Sequence, residues 1–177
     1  MNVIFIDIDG VLKPYHFFVK NIDKEFCMDE SRVALLKKIC DITNSYVVLS
    51  SSWKEGFEED FTPISKSAFY LLEIFKKYEI PIIGRTPSAR KYRYHGSFYD
   101  IWKEYEILKY LSRHPEVEHF CIIDDEDDDL QMLKDYVVLT KDIQEKEEQE
   151  GLTEEYIDSI VKVLQKPRIR KNRNVLK

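Results

Sequence analysis

Short β-branched and aromatic runs alternate with amphipathic stretches along this chain, and that alternation narrows the folds open to it more than any other feature. Val3 to Ile6 is an unbroken apolar run that ends in Asp7-Ile-Asp9-Gly10. It has the pattern of a strand buried on both faces and followed by a turn. Asp29 or Ser31 can cap a helix whose apolar positions Leu35, Leu36, Ile39 and Cys40 share one face. Tyr46 to Leu49 is a second strand. Ala68, Leu71, Leu72 and Phe75 mark a helix within Ser65 to Tyr78, and Ile80 to Ile83 a third strand closed by Gly84. Ile101, Tyr105, Leu108 and Leu111 form another helical stripe, His119 to Ile123 a fourth strand running into Asp124, and Tyr136 to Leu139 a fifth. Gly151 and Thr153 open a last helix through Ile157, Ile160, Val161 and Leu164. Strands separated by helices imply right-handed crossovers, hence a three-layer α/β domain with a parallel, Rossmann-like sheet.

At 177 residues and 44% hydrophobic, the chain can bury a core without a disulfide or metal staple. Cys27, Cys40 and Cys121 are widely separated and read as buried reduced thiols. Its longest apolar runs fall far short of the ~20 residues of a membrane span. The first run reaches Asp7 without a basic leader, so a secretory signal is not expected and the cytoplasm is the expected location. Net charge is −6, yet Lys166 to Lys177 carries six cations and no acid, which leaves an acidic body at −12. Residues 1–165 therefore read as the domain and 166–177 as a basic tail, one able to touch phosphates or acidic lipids. The stretches Glu55 to Ile64 and Arg85 to Phe98 lack periodicity and read as surface loops, and Lys141 to Glu150 as a solvated connection.

In a doubly wound sheet, ligands bind beyond the carboxyl ends of the strands. Asp7 and Asp9 follow the first strand, Ser50 and Ser51 the second, and Asp124 and Asp125 close the fourth. Four carboxylates gathered there would repel one another unless a cation intervened, and oxygen ligands without neighbouring His or Cys favour Mg²⁺. His16, His95, His114 and His119 lie in no triad arrangement and read as structural. The run Asp124 to Asp129 holds five Asp and Glu126, and its later acids read as a solvated loop from which Asp128 or Asp129 can supply an outer ligand.

These residues resemble the haloacid dehalogenase superfamily. Its first motif is similar to Val3-Ile-Phe-Ile-Asp7-Ile-Asp9-Gly10-Val11-Leu12, its second to Tyr46-Val-Val-Leu-Ser50, and its fourth to Cys121-Ile-Ile-Asp124-Asp125. Ser50-Ser-Ser-Trp53, and Tyr136-Val-Val-Leu-Thr140 with the later Gly151-Leu-Thr153, resemble the small branch known as the HAD domain of Swiss Army Knife RNA repair proteins. The resemblance reaches about Leu164. It implies a phosphatase in which Asp7 attacks phosphorus to form an aspartyl-phosphate. Asp9 protonates the leaving oxygen and then activates water. Ser50, or Ser51 if the register differs, donates to a phosphoryl oxygen, aided by the backbone amides of Ser51 and Gly10. Mg²⁺ is held by Asp7, Asp124, Asp125 and the Asp9 main-chain carbonyl. The third motif is a lone cation, matched best by Lys103, with Arg90, Lys91 and Arg93 as rivals.

Superfamily members often carry a cap domain, and the segments available here leave no room for one. Between Leu12 and Asp29 only a hairpin-like flap fits, with Tyr15, His16, Phe17 and Phe18. An uncapped cleft suits phosphates on macromolecules, phosphotyrosine among them, or small esters held by loops. The basic, aromatic loop Arg85 to His95 can track a nucleic-acid backbone or an acidic phosphopeptide, or simply be solvated. Repair-type processing of polynucleotide ends, a metal-dependent nuclease and an inactive binding module stay open. The acidic body weighs against nucleic acid.

Overall fold

The computed structural model describes residues 1–24, 26–88, 103–140 and 150–168, together with the backbone of 92–94 and 97–99. Five strands form one parallel sheet: β1 Asn2–Ile6, β2 Ser45–Leu49, β3 Ile82–Arg85, β6 His119–Asp124 and β7 Val137–Leu139, in the order β3-β2-β1-β6-β7. Between β3 and β6 lies a small antiparallel pair, β4 Tyr92–Tyr94 and β5 Ser97–Tyr99. The helices are α1 Tyr15–Lys20, α2 Glu30–Thr43, α3 Lys66–Lys77, α4 Lys103–Arg113 and α5 Ile157–Leu164.

Val3 to Ile6 and Phe120 to Ile123 are fully buried because β1 and β6 are central and covered on both faces. α4 covers the face bearing Phe5 and Phe120. The Phe5 and Tyr110 rings meet edge-on at 5.5 Å, and those of Phe5 and Phe120 at 5.9 Å. Right-handed crossovers place α2 on the opposite face. There the Tyr70 hydroxyl of α3 accepts from the Met28 N–H at 2.9 Å, and Lys38 pairs with Glu154 ahead of α5 at 2.7 Å. Asp29 caps α2 by accepting from Ser31 N, and Ser65 caps α3 by accepting from Ala68 N. All three cysteines are buried and free. Among the described residues no second domain or cap stands over the sheet, and no helix is long and apolar enough to cross a membrane.

Several elements differ from the sequence reading. β3 starts two residues late because Pro81 has no N–H to give to the ladder, although its carbonyl accepts from Val47 N at 3.0 Å. The segment read as a loop from Arg85 to Phe98 contains β4 and most of β5; two aromatic-rich runs flanking Gly96 are a hairpin signal. The flap is the short helix α1, with no buried residue, rather than a hairpin. Phe57 and Phe61 stack at 4.5 Å and fold the Glu55 to Ile64 loop on itself. On α4 the buried face is Glu104, Glu106, Ile107, Tyr110 and Leu111, while Tyr105 points to solvent. The predicted stripe was rotated because two glutamates occupy core-facing positions.

Past α5 the chain stays on the body as far as Arg168. The Arg168 guanidinium donates to the carbonyls of His114 and Val117 at 3.0 Å and to that of Leu111, and His119 Nδ1 lies 2.9 Å from the Lys166 carbonyl. The remainder of the basic tail and most of Lys141 to Glu150 lie outside the described residues.

Candidate active site

The parallel ladder runs one bond beyond each strand, and those bonds set the site. Asp7 N donates to Ile123 O at 3.0 Å, Ser50 N to Ile6 O at 2.9 Å, Thr86 N to Leu49 O at 2.9 Å and Thr140 N to Asp124 O at 2.8 Å. Asp7, Ser50 and Asp124 are thereby fixed along one edge of the sheet. Asp7, Asp124 and Asp125 bring carboxylate oxygens within 4.8 Å of one another. Asp125 also lies over Gly10, whose φ is +75°, and a Cβ there would sit 2.0 Å from Asp125 Oδ2. The glycine of Asp7-Ile-Asp9-Gly10 is thus required twice, by backbone conformation and by the approach of an acid.

Lys103, the first residue of α4, reaches into this cluster. Its Nζ lies 2.5 Å from Asp7 Oδ2 and 2.6 Å from Asp124 Oδ2. Burial disfavours the ammonium, but the charges of Asp7 and Asp124 outweigh it and hold the Lys103 pKa above its ordinary value. For Asp124, with a side chain only 1% exposed, burial and then the Asp7 charge raise the pKa, against the pull of Lys103. An all-oxygen set of three carboxylates, one deeply buried, fits a hard divalent cation such as Mg²⁺.

The two serines separate clearly. Ser51 Oγ accepts from Trp53 N and caps the 3₁₀ turn Ser52–Gly56, whereas Ser50 Oγ is fully buried with no hydrogen-bond partner among the described residues. Asp9 turns away from the cluster, with Oδ2 accepting from Trp53 Nε1 at 2.9 Å and Oδ1 3.1 Å from Lys13 Nζ. The Gly10 amide, expected as a phosphate donor, is already committed to Lys13 O at 3.0 Å because the chain turns tightly there. Arg90 and Lys91 lie outside the described residues, and Arg93 is described only as backbone in β4.

Three supports are not legible in the sequence. Asp129 accepts from Lys103 N at 3.1 Å and so starts the helix that presents the lysine. Lys54 and Glu106 form a buried ion pair at 2.5 Å that ties the turn after β2 to α4. Glu104, also buried, accepts from Leu133 N at 3.1 Å and from Met132 N.

With this geometry in place, comparison with known proteins shows a match over residues 3–157 to the family model described as the HAD domain in Swiss Army Knife RNA repair proteins. The chain belongs to this family. Its five-stranded parallel sheet is the HAD-like α/β fold, and membership supports a hydrolase of the phosphatase type. No curated protein and no solved structure matches it.

Proposed function

We propose that the protein is a Mg²⁺-dependent phosphomonoesterase working through an aspartyl-phosphate on Asp7. The observation that carries this reading is the pairing of a bridging cation with an orphan donor. Lys103 lies between Asp7 and Asp124, and at the tip of the strand next to β1 the buried Ser50 hydroxyl has no partner among the described residues. A buried hydroxyl without a partner costs about 1–3 kcal/mol, a cost that a phosphoryl oxygen would remove.

Asp7 attacks the phosphorus, and the bond to the ester oxygen breaks with its electron pair leaving on that oxygen. Asp9 delivers a proton to it, since an alkoxide is otherwise a poor leaving group. Ser50 donates to one phosphoryl oxygen and Lys103 offsets the negative charge on the others. Water then attacks the acyl phosphate while Asp9 takes its proton, which frees Asp7 and inorganic phosphate. The ion, held by Asp7, Asp124, Asp125 and the Asp9 carbonyl, would neutralise charge on the phosphoryl group.

The uncapped cleft favours a phosphate carried on an accessible macromolecule, such as a phosphoprotein, or a small ester. The family description favours a second reading, a phosphate at the end of an RNA strand. A panel of phosphopeptides, sugar phosphates, nucleotides and 3′- and 5′-phosphorylated oligonucleotides separates them by kcat/KM. Release of phosphate from a monoester that stops on chelation and returns with Mg²⁺ is expected. Cleavage of unphosphorylated strands without phosphate release would contradict the reading and point to a nuclease.

A further inference from the structure

The geometry points to Trp53 and Lys13 as a fork that holds the Asp9 carboxylate outside the metal cluster and aims it at the departing oxygen. This inference rests on the reading of Asp9 as proton donor. Asp7 and Asp9 are two residues apart, yet only Asp7 joins the carboxylate cluster. The two Asp9 oxygens are taken by different donors, Oδ2 by the Trp53 indole N–H at 2.9 Å and Oδ1 by Lys13 Nζ at 3.1 Å. The Asp9 side chain is 52% exposed, so the ion pair alone contributes little stability. Two donors on separate oxygens do something different: they fix the plane of the carboxylate.

Both prongs are themselves held. Trp53 lies in the turn capped by Ser51, next to Lys54 with its buried Glu106 partner, and Phe26 meets its ring edge-on at 6.3 Å. Lys13 Nζ sits 4.7 Å from the centre of the Phe18 ring and 5.7 Å from that of Trp53, both cation–π distances. The need for such a fork follows from charge. A free carboxylate beside a divalent ion is drawn to it, and a carboxylate that ligates metal cannot pass a proton to the leaving group. Trp53 is accordingly a positioning residue, acting through Asp9.

The test compares kcat/KM for an alkyl phosphate, whose leaving oxygen needs a proton, with that for p-nitrophenyl phosphate, whose leaving oxygen does not. This parameter ends at departure of the alcohol, so later hydrolysis of the intermediate does not enter it. In Trp53→Phe, which keeps the ring but loses the N–H, the alkyl-to-aryl ratio should fall by about tenfold or more. In Asp9→Asn it should fall further, and adding Trp53→Phe to that variant should leave it where it is. Equal losses on both substrates, or a further fall in the Asp9→Asn background, would overturn the fork. A ratio unmoved by Asp9→Asn itself would instead overturn Asp9 as proton donor. A second measurement needs no turnover: the Trp53 indole N–H resonance should shift and exchange faster with water in Asp9→Ala. An unmoved resonance would show that the contact is not made.

Discussion

The two ends of the site are built differently. The end that would receive the phosphoryl group consists of strand tips, with Asp7, Ser50 and Asp124 each tied to the neighbouring strand by a ladder bond, and with Asp124 almost wholly buried. The end that would face the leaving group consists of Asp9, Lys13, Trp53 and α1, all in turns or a short helix, with Asp9 half exposed and α1 burying nothing. The first is fixed by the sheet itself. The second depends on contacts between loops, so it is where a related chain can change substrate without disturbing the fold.

The largest effect should come from the sheet end. Asp7→Asn keeps shape and removes the nucleophile, and kcat on an aryl phosphate should drop by at least about a thousandfold with the folded spectrum unchanged. Activity within tenfold of wild type would erase the distinction between the two ends. Next comes the brace that joins them. Glu106→Ala strands the buried Lys54 ammonium and should cost about 3–5 kcal/mol in urea unfolding, whereas Lys54→Met combined with Glu106→Leu should recover most of it. If the single variant unfolds at the wild-type urea concentration, the pair is not a brace.

Ser50→Ala should lower kcat/KM about a hundredfold while leaving the midpoint of unfolding unchanged or raised, since the orphan hydroxyl disappears. A loss of stability without a loss of rate would place Ser50 in the core alone. The smallest effect is expected at the α4 cap, where Asp129→Ala should cost about 1 kcal/mol, read as a lowered thermal midpoint. A stability equal to wild type would mean that the acidic loop does not start the helix.

The same contrast explains what was legible in the sequence. Strand tips in a parallel sheet are marked by where apolar runs stop, so Asp7, Ser50 and Asp124 were found at the edge they occupy. The choice between Ser50 and Ser51 was open because it depends on which hydroxyl caps the next turn, a matter of one peptide's rotation. Lys54 and Glu106 are 52 residues apart on a turn and a helix, and no periodicity joins them. Glu104 and Glu106 went further and misdirected the reading of α4, because charged residues at core-facing positions count against a buried stripe until their partners are known. The bond from the Lys103 amide to Asp129 is hidden for the same reason, since that amide comes from a distant helix start.

The central claim is that Asp7 accepts the phosphoryl group, and a structure with Mg²⁺ and beryllofluoride tests it most directly. The account predicts beryllium bonded to an Asp7 carboxylate oxygen, Ser50 and Lys103 donating to the fluorides, and Mg²⁺ bridging a fluoride to Asp124. A complex in which Asp7 touches only the metal, with Ser50 and Lys103 far from the fluorides, would contradict it and assign the chemistry to a directly activated water.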